Sequence, residues 1–129
     1  MDELTQKFQM FEVQIRQIQE QLEAIQVALQ DMKIISEDLE EMKGKVGKEI
    51  LAPIGKGIFA KAKLLSEELI VNVGNGNLVE KTIDETKEII SNQEKRLKDS
   101  RENLEKELER INEKITETMK EYEKEVKKE

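Results

Sequence analysis

In the first third of the chain the apolar residues Leu4, Phe8, Phe11, Ile15, Ile18, Leu22, Ile25, Leu29 and Met32 follow one another at alternating steps of four and three. A mean step of 3.5 residues keeps one stripe of a helix facing a partner helix and calls for a left-handed supercoil. Beyond Met32 the next apolar residues are Ile35, Leu39 and Met42. Taking Ile35 as the next seam position shortens one step and predicts a local stammer. The last part of the chain carries a second seam: Val79 and Ile83 lead into Ile90, Leu97 and Leu104, the last four spaced seven apart. Its intervening positions read as the polar Thr86, Gln93 and Ser100, and beyond Leu104 come Leu108, Ile111, Ile115, Met119, Tyr122 and Val126.

The middle has a different period. Residues 49–54 and 58–64 are separated by Gly55-Lys56-Gly57, and Lys61 and Lys63 alternate with Ala60, Ala62 and Leu64. That period of two predicts a strand. Residues 69–73 and 78–79 flank Gly74-Asn75-Gly76-Asn77. Asn-Gly between apolar runs is a strong hairpin signal, because both central residues of a type I′ turn take positive φ; Asn75 and Gly76 are the predicted turn. Four short strands in two hairpins have little apolar area and open edges. They therefore predict association between chains, with Ile50, Ala52, Ile58, Ala60, Ala62, Leu69, Val71 and Val73 as candidate contacts.

All six glycines and the single proline lie between residues 44 and 76. Inside a helix Gly costs about 1 kcal/mol and Pro about 3 kcal/mol relative to Ala, so their confinement marks two uninterrupted helices around a non-helical middle. The reading is one domain over residues 1–129: an N-terminal coiled-coil helix at 1–43, a β-hairpin association region at 44–78 and a C-terminal coiled-coil helix at 79–129. The fold class is mostly α, a long antiparallel coiled-coil hairpin with two small β hairpins between its helices.

Composition narrows what such a molecule can do. Charged residues make up 40% of the chain, and there are three Phe, one Tyr, no Trp, no Cys and no His. Without Cys there is no disulfide or thiol chemistry, and without His the commonest general base and transition-metal ligand are missing. The net charge of −7 has no Lys/Arg cluster of the kind that displaces counterions from phosphates, so nucleic acid is excluded as a partner. No apolar run reaches the 18 residues a membrane span needs, and no leader pattern is visible; a soluble, cytoplasmic protein is expected. The abundance of Lys and Glu follows the trend of heat-adapted proteins. Glu37, Asp38, Glu40 and Glu41 form a solvated helix face, since the oxygen-rich loop of a calcium site is missing. Gly74-Asn75-Gly76 does not extend into a phosphate-binding Gly-x-Gly-x-x-Gly, because residue 79 is Val. No catalytic residue, metal or cofactor is expected, and the chain is read as a protein-binding molecule.

The hairpin segment carries a family likeness. Glu49-Ile50-Leu51-Ala52-Pro53-Ile54-Gly55-Lys56-Gly57-Ile58-Phe59 resembles the first hairpin of α-class prefoldin subunits, and Leu69-Ile70-Val71-Asn72-Val73-Gly74-Asn75-Gly76 followed by Val79-Glu80-Lys81 resembles the second. The order of long helix, two hairpins and long helix is also that of the family. The resemblance implies an ATP-independent chaperone subunit that joins others through its hairpins and captures unfolded proteins with its coiled coils. It would then hand them to a group II chaperonin. The implied partners are non-native proteins, β-class prefoldin subunits or copies of itself, and the chaperonin. One α-like archaeal branch, gamma prefoldin, polymerises, so the alternative is a structural filament with the coils as projections. A coiled-coil arm that grips nucleic acid is disfavoured by the charge.

In an antiparallel hairpin the two chain ends meet at one tip. Phe8, Phe11 and Tyr122 are three of the four aromatic residues and lie near those ends, with Met1, Met10 and Met119 close in sequence. Met is flexible and polarizable, which suits promiscuous apolar binding. Leu4, Phe8, Phe11, Met119, Tyr122 and Val126 are the candidate client-binding residues, unless they pack only against one another in the last heptads.

Overall fold

The computed structural model describes residues 2–128. Helix α1 spans Asp2–Glu41, strands β1 (Glu49–Gly55) and β2 (Ile58–Lys63) form one antiparallel pair, β3 (Leu69–Asn72) and β4 (Leu78–Lys81) form another, and helix α2 spans Ile83–Lys128. The fold expected from the seams and the breakers is the one observed. The chain divides into two compact units, Met1–Leu29 with Lys95–Glu129, and Gln30–Glu94.

The first unit is a two-helix pair with a narrow core. Ile18 and Ile111 are its buried residues, flanked by half-buried Ile15, Leu22, Ile25, Leu104, Leu108 and Ile115. Ile25 shares a cleft with Leu104, and Leu4 shares another with Tyr122, so the segments run antiparallel. Here the polar seam position is not Ser100, which is exposed, but Arg101, which is half-buried. Thr118 likewise takes the place expected for Met119. Arg101 can occupy a seam position because its aliphatic stem packs while the guanidinium reaches water.

The second unit has its own core, in which Leu39, Ile83 and Ile90 are buried and Met32, Met42 and Leu69 pack against them. The expected stammer is absent. Ser36 is half-buried and Ile35 exposed, so the steps from Met32 through Ser36 to Leu39 remain four and three. On α2, Gln93 is exposed and Glu94 half-buried, again one residue later than the apolar pattern implied. Thr86 is buried and donates its hydroxyl to the Thr82 carbonyl at 2.8 Å, which satisfies the group inside the helix.

Helix α2 starts at Ile83 rather than at Val79. Val79 belongs to β4, opposite Val71. The start is set by a capping box: the Glu85 amide donates to Thr82 Oγ1 and the Thr82 amide donates to Glu85 Oε1, both at 3.1 Å. Two otherwise unpaired backbone donors are satisfied reciprocally.

Candidate protein-binding surfaces

The hairpins are held by their ladders and by two tight turns. In the first, Lys56 and Gly57 have φ of 50° and 77°; in the second, Asn75 and Gly76 have 52° and 75°. The Asn77 amide donates to the Gly74 carbonyl at 2.9 Å, closing the second turn in the I′ sense that matches strand twist. Asn tolerates this region and Gly does so freely, whereas Lys56 carries a steric cost. The β1–β2 register shifts between Pro53 and Gly55, so Ile54 is the bulged residue without a cross-strand partner. Beyond the strands the first ladder continues: Gly47 donates to the Leu64 carbonyl at 2.7 Å, and Leu64 to that of Lys48 at 3.1 Å.

Alternation then sorts the side chains into two faces per hairpin. Ile50, Ala52, Ala60 and Ala62 share the half-buried face of the first, and Leu69 and Val71 lie on the half-buried face of the second. Of the remaining candidate contacts, Ile58 and Val73 are exposed. The opposite faces are apolar too, and they are open to solvent. Leu51 and Phe59 lie on one. Ile70, 71% exposed, and Leu78, 66% exposed, lie on the other. Sequence reasoning passed over Leu51, Ile54, Phe59, Ile70 and Leu78, because an alternating pattern that is apolar on both faces does not say which face its own chain covers.

The helix ends next to the β region are tied to one another by ionic contacts. Lys43 lies 2.8 Å from Asp84 and 3.2 Å from Glu40, and Lys87 lies 2.7 Å from Glu40. Hydrogen bonds from Lys87 and then Lys43 hold the Glu40 carboxyl below its ordinary value, and Asp84 with Glu40 raises Lys43. The amide and hydroxyl of Thr82 lower Glu85. The Gly44 amide donates to Glu67 Oε1 at 2.6 Å. Lys43, Ser66, Glu67, Glu68, Thr82, Ile83 and Asp84 line a cleft of about 490 Å³. Its two hydroxyls serve the local backbone: Ser66 accepts the Glu68 amide at 2.9 Å and Thr82 accepts that of Glu85 at 3.1 Å.

In the first unit, Leu4, Phe8 and Phe11 are half-buried. The Phe8 and Phe11 rings meet edge to face, 6.3 Å apart at 71°, an arrangement the ring quadrupoles favour. Met119 and Val126 are each 52% exposed and Tyr122 is also exposed. Met1 lies outside the described residues. The candidates thus divide: the α1 group is partly consumed by packing, while the α2 group leaves apolar surface in water.

Compared with known families, residues 4–128 match the prefoldin subunit. This chain belongs to the prefoldin family. It is 36% identical over 110 residues to prefoldin subunit alpha of Pyrococcus horikoshii, covering 82% of this chain and 72% of that protein. It is 34% identical over 101 residues to prefoldin subunit alpha 1 of Thermococcus kodakarensis, covering 77% and 67%. With prefoldin subunit alpha of Methanobrevibacter smithii it shares 33% identity over 88 residues, 67% of this chain and 60% of that relative's length. In fold it is similar to filamentous prefoldin from Methanocaldococcus jannaschii, with a TM-score of 0.82 at 20% identity, covering 91% of this chain and 98% of that one. Among the described residues of this prefoldin chain, no helix is long and apolar enough to cross a membrane.

Proposed function

We propose that this chain is a subunit of an ATP-independent chaperone. It joins other subunits through the β hairpins, holds non-native proteins on the apolar groups near its helix ends, and passes them to a group II chaperonin in the cytoplasm. Membership of the prefoldin family supports the class of activity. The observation that carries the residue-level reading is the exposure of Met119, Tyr122 and Val126 on α2 beside the packed Phe8–Phe11 pair. Apolar groups left in water by a stable helix pair are available to an unfolded chain, whose own apolar residues gain about 25 cal/mol per Å² on contact. The outward hairpin residues Leu51, Phe59, Ile70 and Leu78, with Ile50, Ala52, Ile58, Ala60, Ala62, Leu69, Val71 and Val73 behind or beside them, form the association region. The partners across it are β-class subunits or further copies of this chain.

A second reading is a homopolymer whose coils are projections, favoured by the likeness to a filamentous relative over nearly the whole of both chains. Interfaces that do not close on themselves generate open filaments, and two separate outward faces allow such contacts.

The experiment replaces Met119, Tyr122 and Val126 together with Ser. Client capture is read as suppression of aggregation of a chemically unfolded test protein, with particle size and shape followed by light scattering and negative-stain microscopy. The expected result is a loss of suppression with assembly and helix content intact, amplified by avidity across several subunits. Full suppression by the triple variant would overturn capture at these residues, and filaments without any capture activity would favour the second reading.

A further inference from the structure

The outer face of α1 in the first unit differs from the corresponding face of α2. With the seam at Phe8, Phe11, Ile15, Ile18, Leu22 and Ile25, the positions opposite it are Met10, Val13, Gln17, Glu20, Ala24 and Val27, at steps of three and four. All six are exposed; Met10 and Val27 are 62% and 55% exposed. The matching outward positions of α2 are Asn103, Lys106, Arg110, Glu113, Glu117 and Lys120, all polar and exposed, which need no partner. Four of the six α1 positions are apolar, at the 3.5-residue period of a coiled-coil seam rather than the scatter of a solvated surface.

This stripe is symmetric about its middle. Run antiparallel against a second copy, Met10 meets Val27, Val13 meets Ala24, and Gln17 meets Glu20, each pair twice. Flanking positions in an antiparallel coiled coil pair like with like, and the flank on one side reads Gln9, Arg16, Glu23, Gln30. In the same register Arg16 of each copy faces Glu23 of the other. Among the described residues neither Arg16 nor Glu23 takes part in an ion pair within its own chain. The other flank, Gln14 and Gln21, is uncharged. A parallel pairing would instead set Gln17 beside Gln17 and Glu20 beside Glu20, and would leave Arg16 facing the uncharged Gln21.

We propose that the outer face of α1 is a self-complementary docking surface for a second copy of this chain, paired antiparallel about a two-fold axis near Gln17 and Glu20. The occupant is a copy of the chain because the apolar steps, the polar centre and the Arg16–Glu23 flank each repeat when the stripe is reversed. The Gln17–Glu20 pair costs stability but fixes register, as single polar seam positions do. The contact is separate from the hairpins, so it adds a lateral link between chains to the association proposed there. At about 1.5 Å per residue the stripe is about 27 Å long, a small interface that works through repetition along an assembly.

The absence of native cysteine makes the register directly testable in the full chain. Chains carrying Met10→Cys and chains carrying Val27→Cys are mixed under mild oxidation. The mixture should give a disulfide-linked pair as the main product, and Met10→Cys alone should give little. A second measurement uses charge. Arg16→Glu and Glu23→Arg should each weaken self-association by about tenfold, since two exposed ion pairs become two repulsions. The double variant should restore it. To separate this from hairpin association, the charge series is repeated with Phe59→Asp and Leu78→Asp in place. Cross-linking of Met10→Cys with itself, no cross-linking in the mixture, or failure of the double charge variant to recover would each overturn the proposal.

Discussion

Ile18 and Ile111, on the two helices, are each 5% exposed, whereas Phe59 on β2 is 58% exposed and Leu78 on β4 is 66% exposed. The same kind of side chain is thus spent inside the chain in one region and held out to solvent in the other. The difference follows from geometry. A helix with a 3.5-residue stripe can bury it completely against one other helix. A two-stranded hairpin has two faces, and in the second hairpin the helices take up one of them: Leu69 packs against Leu39, Ile83 and Ile90 while Ile70 stays exposed. Burial on the helices therefore stabilises the chain itself, whereas the outward apolar area of the hairpins contributes nothing to the stability of the single chain. Large exposed apolar patches mark interaction sites for this reason.

The widest test of that contrast sets Ile18→Asp against Phe59→Asp. A carboxylate at Ile18 loses the packed side chain and buries an unpaired charge, so unfolding should become easier by about 3–5 kcal/mol. At Phe59 the same change touches solvent, and stability of the dissociated chain should shift by less than about 1 kcal/mol while assembly is lost. Denaturation followed by circular dichroism at low concentration, where assembly does not contribute, reads the first. Sedimentation velocity at high concentration reads the second. Equal destabilisation by the two substitutions would erase the distinction between the regions.

Ser36 sharpens the comparison on the helical side. It occupies a half-buried seam position, while Ile35 beside it is exposed. Ser36→Leu should stabilise the chain by about 1 kcal/mol, from added apolar burial and better helix propensity. Ile35→Ser should change little beyond its propensity. A larger loss from Ile35→Ser than gain from Ser36→Leu would mean that the seam passes through Ile35 after all.

The smallest expected effect is electrostatic and lies where the two regions join. Glu40 and Glu85 are held below the ordinary carboxylate value of 4.5, so their contribution is present above that value and is lost as pH falls through their lowered pKa values. Lys43 is raised above 10.5, so its contribution is present below that value and is lost as pH rises through the raised one. Between these limits the junction should be insensitive to pH. Because the groups are exposed, salt should weaken the effect. Carboxyl titration by nuclear magnetic resonance should give midpoints for Glu40 and Glu85 below 4.5. A midpoint for Glu40 at or above 4.5 would remove the ionic tie.

Much of this architecture is written in local chemistry. Confinement of Gly44 through Gly76 and of Pro53 to one stretch decides where helices cannot continue, because backbone penalties act residue by residue. Asn75-Gly76 decides a turn by the same route, and Thr82-Ile83-Asp84-Glu85 contained the capping box that starts α2, a legible signal that the apolar pattern around Val79 obscured. The phase of the seams was a different matter. Ser36, Glu94, Arg101 and Thr118 face inward while Ile35, Gln93, Ser100 and Met119 do not. An inward position is defined by the hole in the partner helix, and polar side chains with packable stems or small volume fill such holes well enough. The covered face of the second hairpin was also settled outside the strands. Leu69 and Ile70 are equally apolar, and Leu69 is the one that meets Leu39, Ile83 and Ile90. Backbone preference is local and can be read along a chain, but burial depends on what stands opposite, and for these residues only the folded arrangement supplies it.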